Sequence, residues 1–180
     1  MNLAARILKW AGWKAEVSVP DFPKAIICVA PHTSNWDFII GELAIRSVGR
    51  KAGFMMKSSW FFFPLGYIFK AMGGIPVVRQ NKKQSLVDAM ICRFKSESHL
   101  VVAITPEGTR KPTATWHTGF LRIAHEANVP LCLAVIDFRM KKAMIHEVYQ
   151  PTGNYEADMQ AIKRYYRPFT GRYPEKFIAE

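Results

Sequence analysis

The chain has 180 residues, enough for one domain with a normal hydrophobic core. Its 49% apolar and 22% charged residues exclude a disordered chain, and no stretch nears the roughly 18 uninterrupted apolar residues of a spanning helix. Lys and Arg number 25 against 14 Asp and Glu; the formal charge of +11 calls for nucleic acid, an anionic membrane face, a phosphorylated substrate or an acidic carrier protein.

Leu3, Ile7, Leu8 and Trp10 recur at helical spacing, so residues 1–24 are expected to hold an amphipathic helix and a lead-in. Arg6 and Lys9 interrupt that stretch too early for a signal-peptide core. Residues 25–180 are expected to form one globular unit. The run at 25–30 is continuously apolar and stopped by Pro31, which predicts a buried strand. Thr33, Ser34 or Asn35 can cap a helix over 36–48, with Trp36, Ile39, Ile40, Leu43 and Ala44 as its apolar face. A strand at 54–56, a helix at 65–72 ended by Gly73-Gly74, a strand at 75–78 and an amphipathic helix at 84–95 follow. Then come a strand at 100–105 halted by Pro106, a helix at 117–128, strands at 129–138 and 143–149, and a helix at 155–166. This alternation predicts an α/β fold, a single-domain sandwich with a mostly parallel central sheet flanked by helices. Cys28, Cys92 and Cys132 stand in apolar stretches without a C-x-x-C pair, and are expected to be reduced core residues.

In such sheets, sites gather at the carboxyl ends of the strands, which singles out the loops after Ala30, Val78 and Thr105. The first loop reads Pro31-His32-Thr33-Ser34-Asn35-Trp36-Asp37. Were both residues helical, His32 and Asp37 would stand about 140° apart around the axis and could not meet. With His32 in the loop, the carboxylate can reach the imidazole, fix its tautomer and leave the other nitrogen to take a hydroxyl proton. Read alone, the pair could equally be a strand-end histidine and an acid complementing a helix dipole. The third loop reads Thr105-Pro106-Glu107-Gly108-Thr109-Arg110, where Gly108 permits close approach of a ligand and Arg110 can grip a phosphate or carboxylate. The middle loop places Arg79 just past another strand.

Taken in order, His32–Asp37, Gly73–Arg79, Glu107–Arg110 and Val129-Pro130-Leu131 resemble the four blocks of the glycerolipid acyltransferase family, of the 1-acyl-glycerol-3-phosphate acyltransferase type: H-x4-D, G-x-I-x-x-x-R, E-G-T-R and an apolar block with proline. The resemblance implies an acyltransferase in which His32 deprotonates the acceptor hydroxyl and Asp37 orients His32, with no acyl-enzyme. It implies that Arg79, Glu107, Gly108, Thr109 and Arg110 bind the acceptor's polar head, with Lys57 as a further basic contact. Val129-Pro130 would lie on the acyl side, although apolar core explains it as well. No metal or bound cofactor is implied; the donor is acyl-coenzyme A or acyl-acyl-carrier-protein. Pro31 stands where many members have Asn, Lys111-Pro112 where a small hydroxyl residue is common, and a long hydrophobic amino-terminal segment is lacking. These departures bear on the acceptor: 1-acyl-glycerol-3-phosphate leads, and another lysolipid such as a lyso-amino-acid lipid is the alternative.

A lipid acceptor implies a peripheral place on the cytoplasmic face of a membrane. The Trp60-Phe61-Phe62-Phe63 run and the helix with Trp10 suit interfacial insertion, while core packing is the other reading of the aromatic run. The basic surface could instead dock an acidic acyl carrier protein. Arg and Lys interleave with Tyr across 164–173, which prompts a nucleic-acid-binding module, but the bases are scattered and no binding motif appears, so no nucleic-acid partner is expected. A non-catalytic lipid-binding relative is disfavoured by the retained His32 and Asp37.

Overall fold

The computed structural model describes residues 2–77 and 85–180, and at residue 57 the main chain alone. The uninterrupted apolar run at the first predicted strand becomes β2 (Lys24–Ala30), covered on both faces as a strand without polar alternation must be. It runs parallel to β5 (Leu100–Ile104) on one side and to β6 (Leu131–Asp137) on the other. With β1 (Lys14–Val17), β3 (Gly53–Lys57), β4 (Gly74–Val77) and β7 (Lys142–Tyr149), the seven strands lie in the order β1-β7-β6-β2-β5-β3-β4. Only β6 and β7 pair antiparallel among the described residues. The carboxyl ends of β2 to β6 therefore share one edge of the sheet. Because β7 runs against β6 and β1 runs with β7, Lys142 and Lys14 begin at that same edge.

Helices α1 (Leu3–Trp10) and α2 (Trp36–Ser47) cover one face, where Leu8, Ile40 and Ala44 pack with Ile136 and Ala143. Helices α4 (Leu86–Ser96), α5 (Gly119–Ala127) and α6 (Tyr155–Tyr166) cover the other, burying Phe94, Leu121, Ile162 and Tyr166 on Ile26, Cys28, Val102 and Leu133. The short α3 (Leu65–Ala71) connects β3 to β4. Beneath the site, Tyr166 donates its hydroxyl proton to the Cys28 carbonyl at 2.5 Å. That bond pins the centre of β2 to α6.

Three expectations need correcting. Lys14–Val17, taken as part of a lead-in, is an edge strand hydrogen-bonded to β7. Trp36 and Ile39, assigned to the apolar face of α2, are 49% and 43% exposed, because the buried face turns through Asp37, Ile40 and Ala44 instead. Cys28 and Cys132 are buried, but Cys92 is exposed, since α4 buries Met90, Ile91 and Phe94 and turns position 92 outward.

Candidate active site

β2 delivers the chain to the carboxyl edge of the sheet, and Pro31 opens the loop there. Asn35 sits at the helix N-cap position but makes no capping bond. Its backbone is already helical (φ −69°, ψ −22°), whereas a capping side chain needs an extended one. Asp37 reaches back from the first turn of α2 instead. Its Oδ2 accepts from the amides of Thr33 at 2.7 Å and Ser34 at 2.8 Å, and its Oδ1 accepts from the Ser34 hydroxyl at 2.8 Å. This fold-back places His32 Nδ1 3.3 Å from Asp37 Oδ2. The two are within ion-pair reach, yet the buried Nδ1 makes no aligned hydrogen bond. Oδ2 is already engaged by two amides, and its contact with Nδ1 is long and unaligned. The His32 side chain is 19% exposed while Nδ1 is buried, so its accessible part lies away from Asp37.

The loop after β5 supports the same histidine. Gly108 donates its amide to the Thr105 carbonyl at 3.1 Å and adopts φ +64°, a conformation that favours glycine. A Cβ there would also lie 2.5 Å from His117 Cδ2, so Gly108 lets the His117 ring close over the turn. Glu107, expected to bind the acceptor's head, is buried, and its Oε1 accepts from the His32 amide at 2.8 Å. It holds the histidine's backbone. Burial pushes its pKa up to about 8, with the charge of Asp37 adding to the rise and the His32 amide opposing it. Thr109 accepts from the Lys111 amide at 3.1 Å, and Arg110 is exposed beside it. Lys57 ends β3 at this edge, and Arg79 lies outside the described residues. Of the fourth block, Val129 is buried core and the Pro130 carbonyl accepts from the Ile26 amide at 3.0 Å.

A segment over 170–180 joins the two loops, and sequence reasoning gave it no role at the site. Tyr173 donates its amide to Thr33 Oγ1 at 3.2 Å, and Trp116 donates its indole N–H to the Ile178 carbonyl at 3.0 Å. Gly171 packs so closely that a Cβ would lie 2.8 Å from Thr33 Cγ2 and 3.1 Å from Pro31 Cβ. The signal was a glycine in a short stretch between two prolines, Pro168 and Pro174.

An imidazole beside a buried carboxylate, on a loop braced from three sides at the carboxyl edge of a parallel sheet, is equipped to accept a proton from a hydroxyl. The Acyltransferase family model matches residues 16–137, more than half of the chain. The chain belongs to that family and is an acyltransferase. No curated protein sequence is matched by it. Among solved structures it is similar to the crystal structure of the 1-acyl-sn-glycerophosphate (LPA) acyltransferase, PlsC, from Thermotoga maritima. The two share 18% identity over 92% of this chain and 76% of that one, with a TM-score of 0.61. At that identity the likeness establishes the fold. The 170–180 segment lies beyond the family match.

Proposed function

We propose that the protein transfers a fatty acyl group from an acyl thioester to the hydroxyl of a lysophospholipid-type acceptor, with 1-acyl-glycerol-3-phosphate the leading candidate, in phospholipid biosynthesis. The observation that carries this reading is the pairing of His32 Nδ1 with buried Asp37 Oδ2 at 3.3 Å. His32 takes the acceptor's hydroxyl proton as that oxygen attacks the thioester carbonyl. The carbon–sulfur bond then breaks, and the departing sulfur takes the proton back from the imidazolium. Asp37 stabilises the imidazolium during the interval. Glu107 positions the loop, and its raised pKa keeps a second negative charge away from the pair. Gly108, Thr109, Arg110, Arg79 and Lys57 are assigned to the acceptor's polar head, and the thioester chemistry calls on no metal or bound cofactor.

An anionic acceptor is supported by the +11 charge and by the fold shared with a protein named for that acceptor. Attachment is assigned to the cytoplasmic face of a membrane, and the surface around α3 supports peripheral contact with a bilayer. Trp60 (53% exposed), Phe62 (54%), Phe63 (81%), Tyr67 (73%) and Ile68 (52%) form an apolar cluster of the kind that seats in a lipid interface. No helix among the described residues is long and apolar enough to cross a membrane. The deciding experiment offers lysophosphatidic acid, lyso-amino-acid lipids and other lysolipids with both acyl-carrier-protein and coenzyme A donors. Turnover highest on the phosphate monoester supports the reading; transfer only to zwitterionic or amino-acid lysolipids moves the acceptor to another class.

A further inference from the structure

Arg172 crosses the catalytic edge between two fixed points. On one side, Thr170 accepts from the Phe138 amide at 2.9 Å and donates its own amide to Asp137 Oδ2 at 3.3 Å. On the other, Tyr173 donates its amide to Thr33. With its backbone anchored at both ends, the guanidinium carbon stands 5.3 Å from the centre of the Trp36 ring. It lies 6.0 Å from the Phe138 ring and 5.9 Å from that of Tyr173. Among the described residues no carboxylate comes within ion-pair distance of it. Three rings therefore flank an exposed cation that has no carboxylate partner among the described residues, and the planar fork of an arginine stacked this way loses less freedom when it grips an anion. Trp36 directly precedes Asp37 and Thr33 directly follows His32, so Arg172 is tied to the very loop that carries the imidazole.

The surroundings point the same way. Lys14 starts β1 at this edge, and the β6–β7 turn brings Arg139 and Lys141 to it. Lys142, by contrast, is engaged by Glu16 at 2.9 Å, and the acids Asp37, Glu107 and Asp137 are all buried. Arg172, Lys14, Arg139 and Lys141 thus share this edge, and Glu175 is the exposed acid nearest to Arg172 in sequence. We propose that Arg172 binds a phosphate group of a substrate at the rim of the His32 site. This deepens the acyl-transfer reading and rests on it only for which substrate brings the phosphate. Both the acceptor's head and the nucleotide end of a coenzyme A donor carry such a group, and two parallel N–H bonds to its oxygens suit the guanidinium.

The test is an NMR titration that needs no turnover. Glycerol 3-phosphate stands for the acceptor's head and adenosine 3′,5′-bisphosphate for the donor, with the Trp36 indole N–H as reporter. A saturable shift is expected in the wild type with one of the two, weakened about tenfold or more in Arg172→Ala and partly restored in Arg172→Lys. The substrate carrying that group should show a KM raised by a similar factor in Arg172→Ala, with kcat within about twofold. Should Arg172→Ala fail to fold, Arg172→Gln keeps the length of the side chain without its charge. Equal anion affinity in wild type and variant overturns the proposal, as does a shift that never saturates. A titrating Arg172 site in a protein that acylates no lysophospholipid would sink the acceptor reading and leave the anion site standing.

Discussion

Tyr173 donates its amide to the hydroxyl of Thr33 at 3.2 Å, joining two residues 140 positions apart in sequence. The neighbour of His32 is thereby held by a segment outside the family match, and Gly171 is where that segment presses hardest. A methyl group on Gly171 would meet Thr33 Cγ2 at 2.8 Å and Oγ1 at 2.9 Å. Gly171→Ala is expected to cost about 1–3 kcal/mol by overpacking and to lower kcat about tenfold or more by shifting His32. Gly49→Ala is the control: it has φ +78° but open space around it, so it should cost stability and leave kcat alone. Equal kcat in the two variants would show that the segment does not position the base.

His32→Ala should reduce acyl transfer by about 10²–10⁴-fold while the melting temperature stays near that of the wild type. Asp37→Asn should also impair turnover. It should destabilise the fold as well, by about 1–3 kcal/mol, because Oδ1 and Oδ2 together receive three hydrogen bonds and an amide nitrogen can receive none. A folded His32→Ala protein within threefold of wild-type activity would remove His32 from the mechanism.

Glu107 gives stability a pH signature. Its native pKa is about 8 against an ordinary 4.5. Below the lower value it is protonated folded or unfolded. Between the two, the unfolded chain releases a proton that the native state keeps, so stability falls as pH rises and the loss is complete above about 8. Glu107→Gln can still accept from the His32 amide and does not titrate. The difference in melting temperature should therefore shift in favour of Glu107→Gln as pH is raised through this window. A difference that is constant with pH would mean Glu107 ionises normally.

The aromatic cluster separates attachment from folding. Phe62→Ser with Phe63→Ser should leave the melting temperature nearly unchanged, since both rings are exposed, while weakening sedimentation with anionic vesicles. Phe61 is half-buried and stacks edge-on with Phe69 at 6.1 Å, so Phe61→Ser should destabilise instead. Salt should release only part of the wild-type protein, because burial of apolar area is not screened. Full recovery in the supernatant at low salt would defeat the membrane assignment.

Much of this was legible in the sequence, and the gaps have physical causes. β2 and β6 were plain because strands buried on both faces read as unbroken apolar runs. β1 escaped because one exposed and three half-buried residues at a sheet edge, Lys-Ala-Glu-Val, carry neither such a run nor a clean alternation. His32 and Asp37 could be paired by reasoning about the loop and by the order of the four blocks. The inward turn of Glu107 could not be foreseen, since a carboxylate in a strand-end turn ordinarily faces solvent. Arg172 was visible only as one base among tyrosines. Its meaning depends on Thr33, Trp36 and Phe138, brought to it by a fold that no local pattern around 170–173 announces.

The sheet's pairing is uneven, and this has a mechanical result. β2 shares five register pairs with β5 and five with β6, whereas β3 meets β5 through only Gly53–Val102 and Phe54–Ala103. Within the sheet, the unit of β3, α3 and β4 is thus a leaf sewn on by two stitches, while His32 follows a strand paired along both sides. Loads on the leaf should therefore be carried by those two pairs and by the edge contact at 4.7 Å between Phe38 of α2 and Phe54 of β3. The aromatic-bearing leaf is thus joined to the sheet more sparsely than the strand that leads into the imidazole loop.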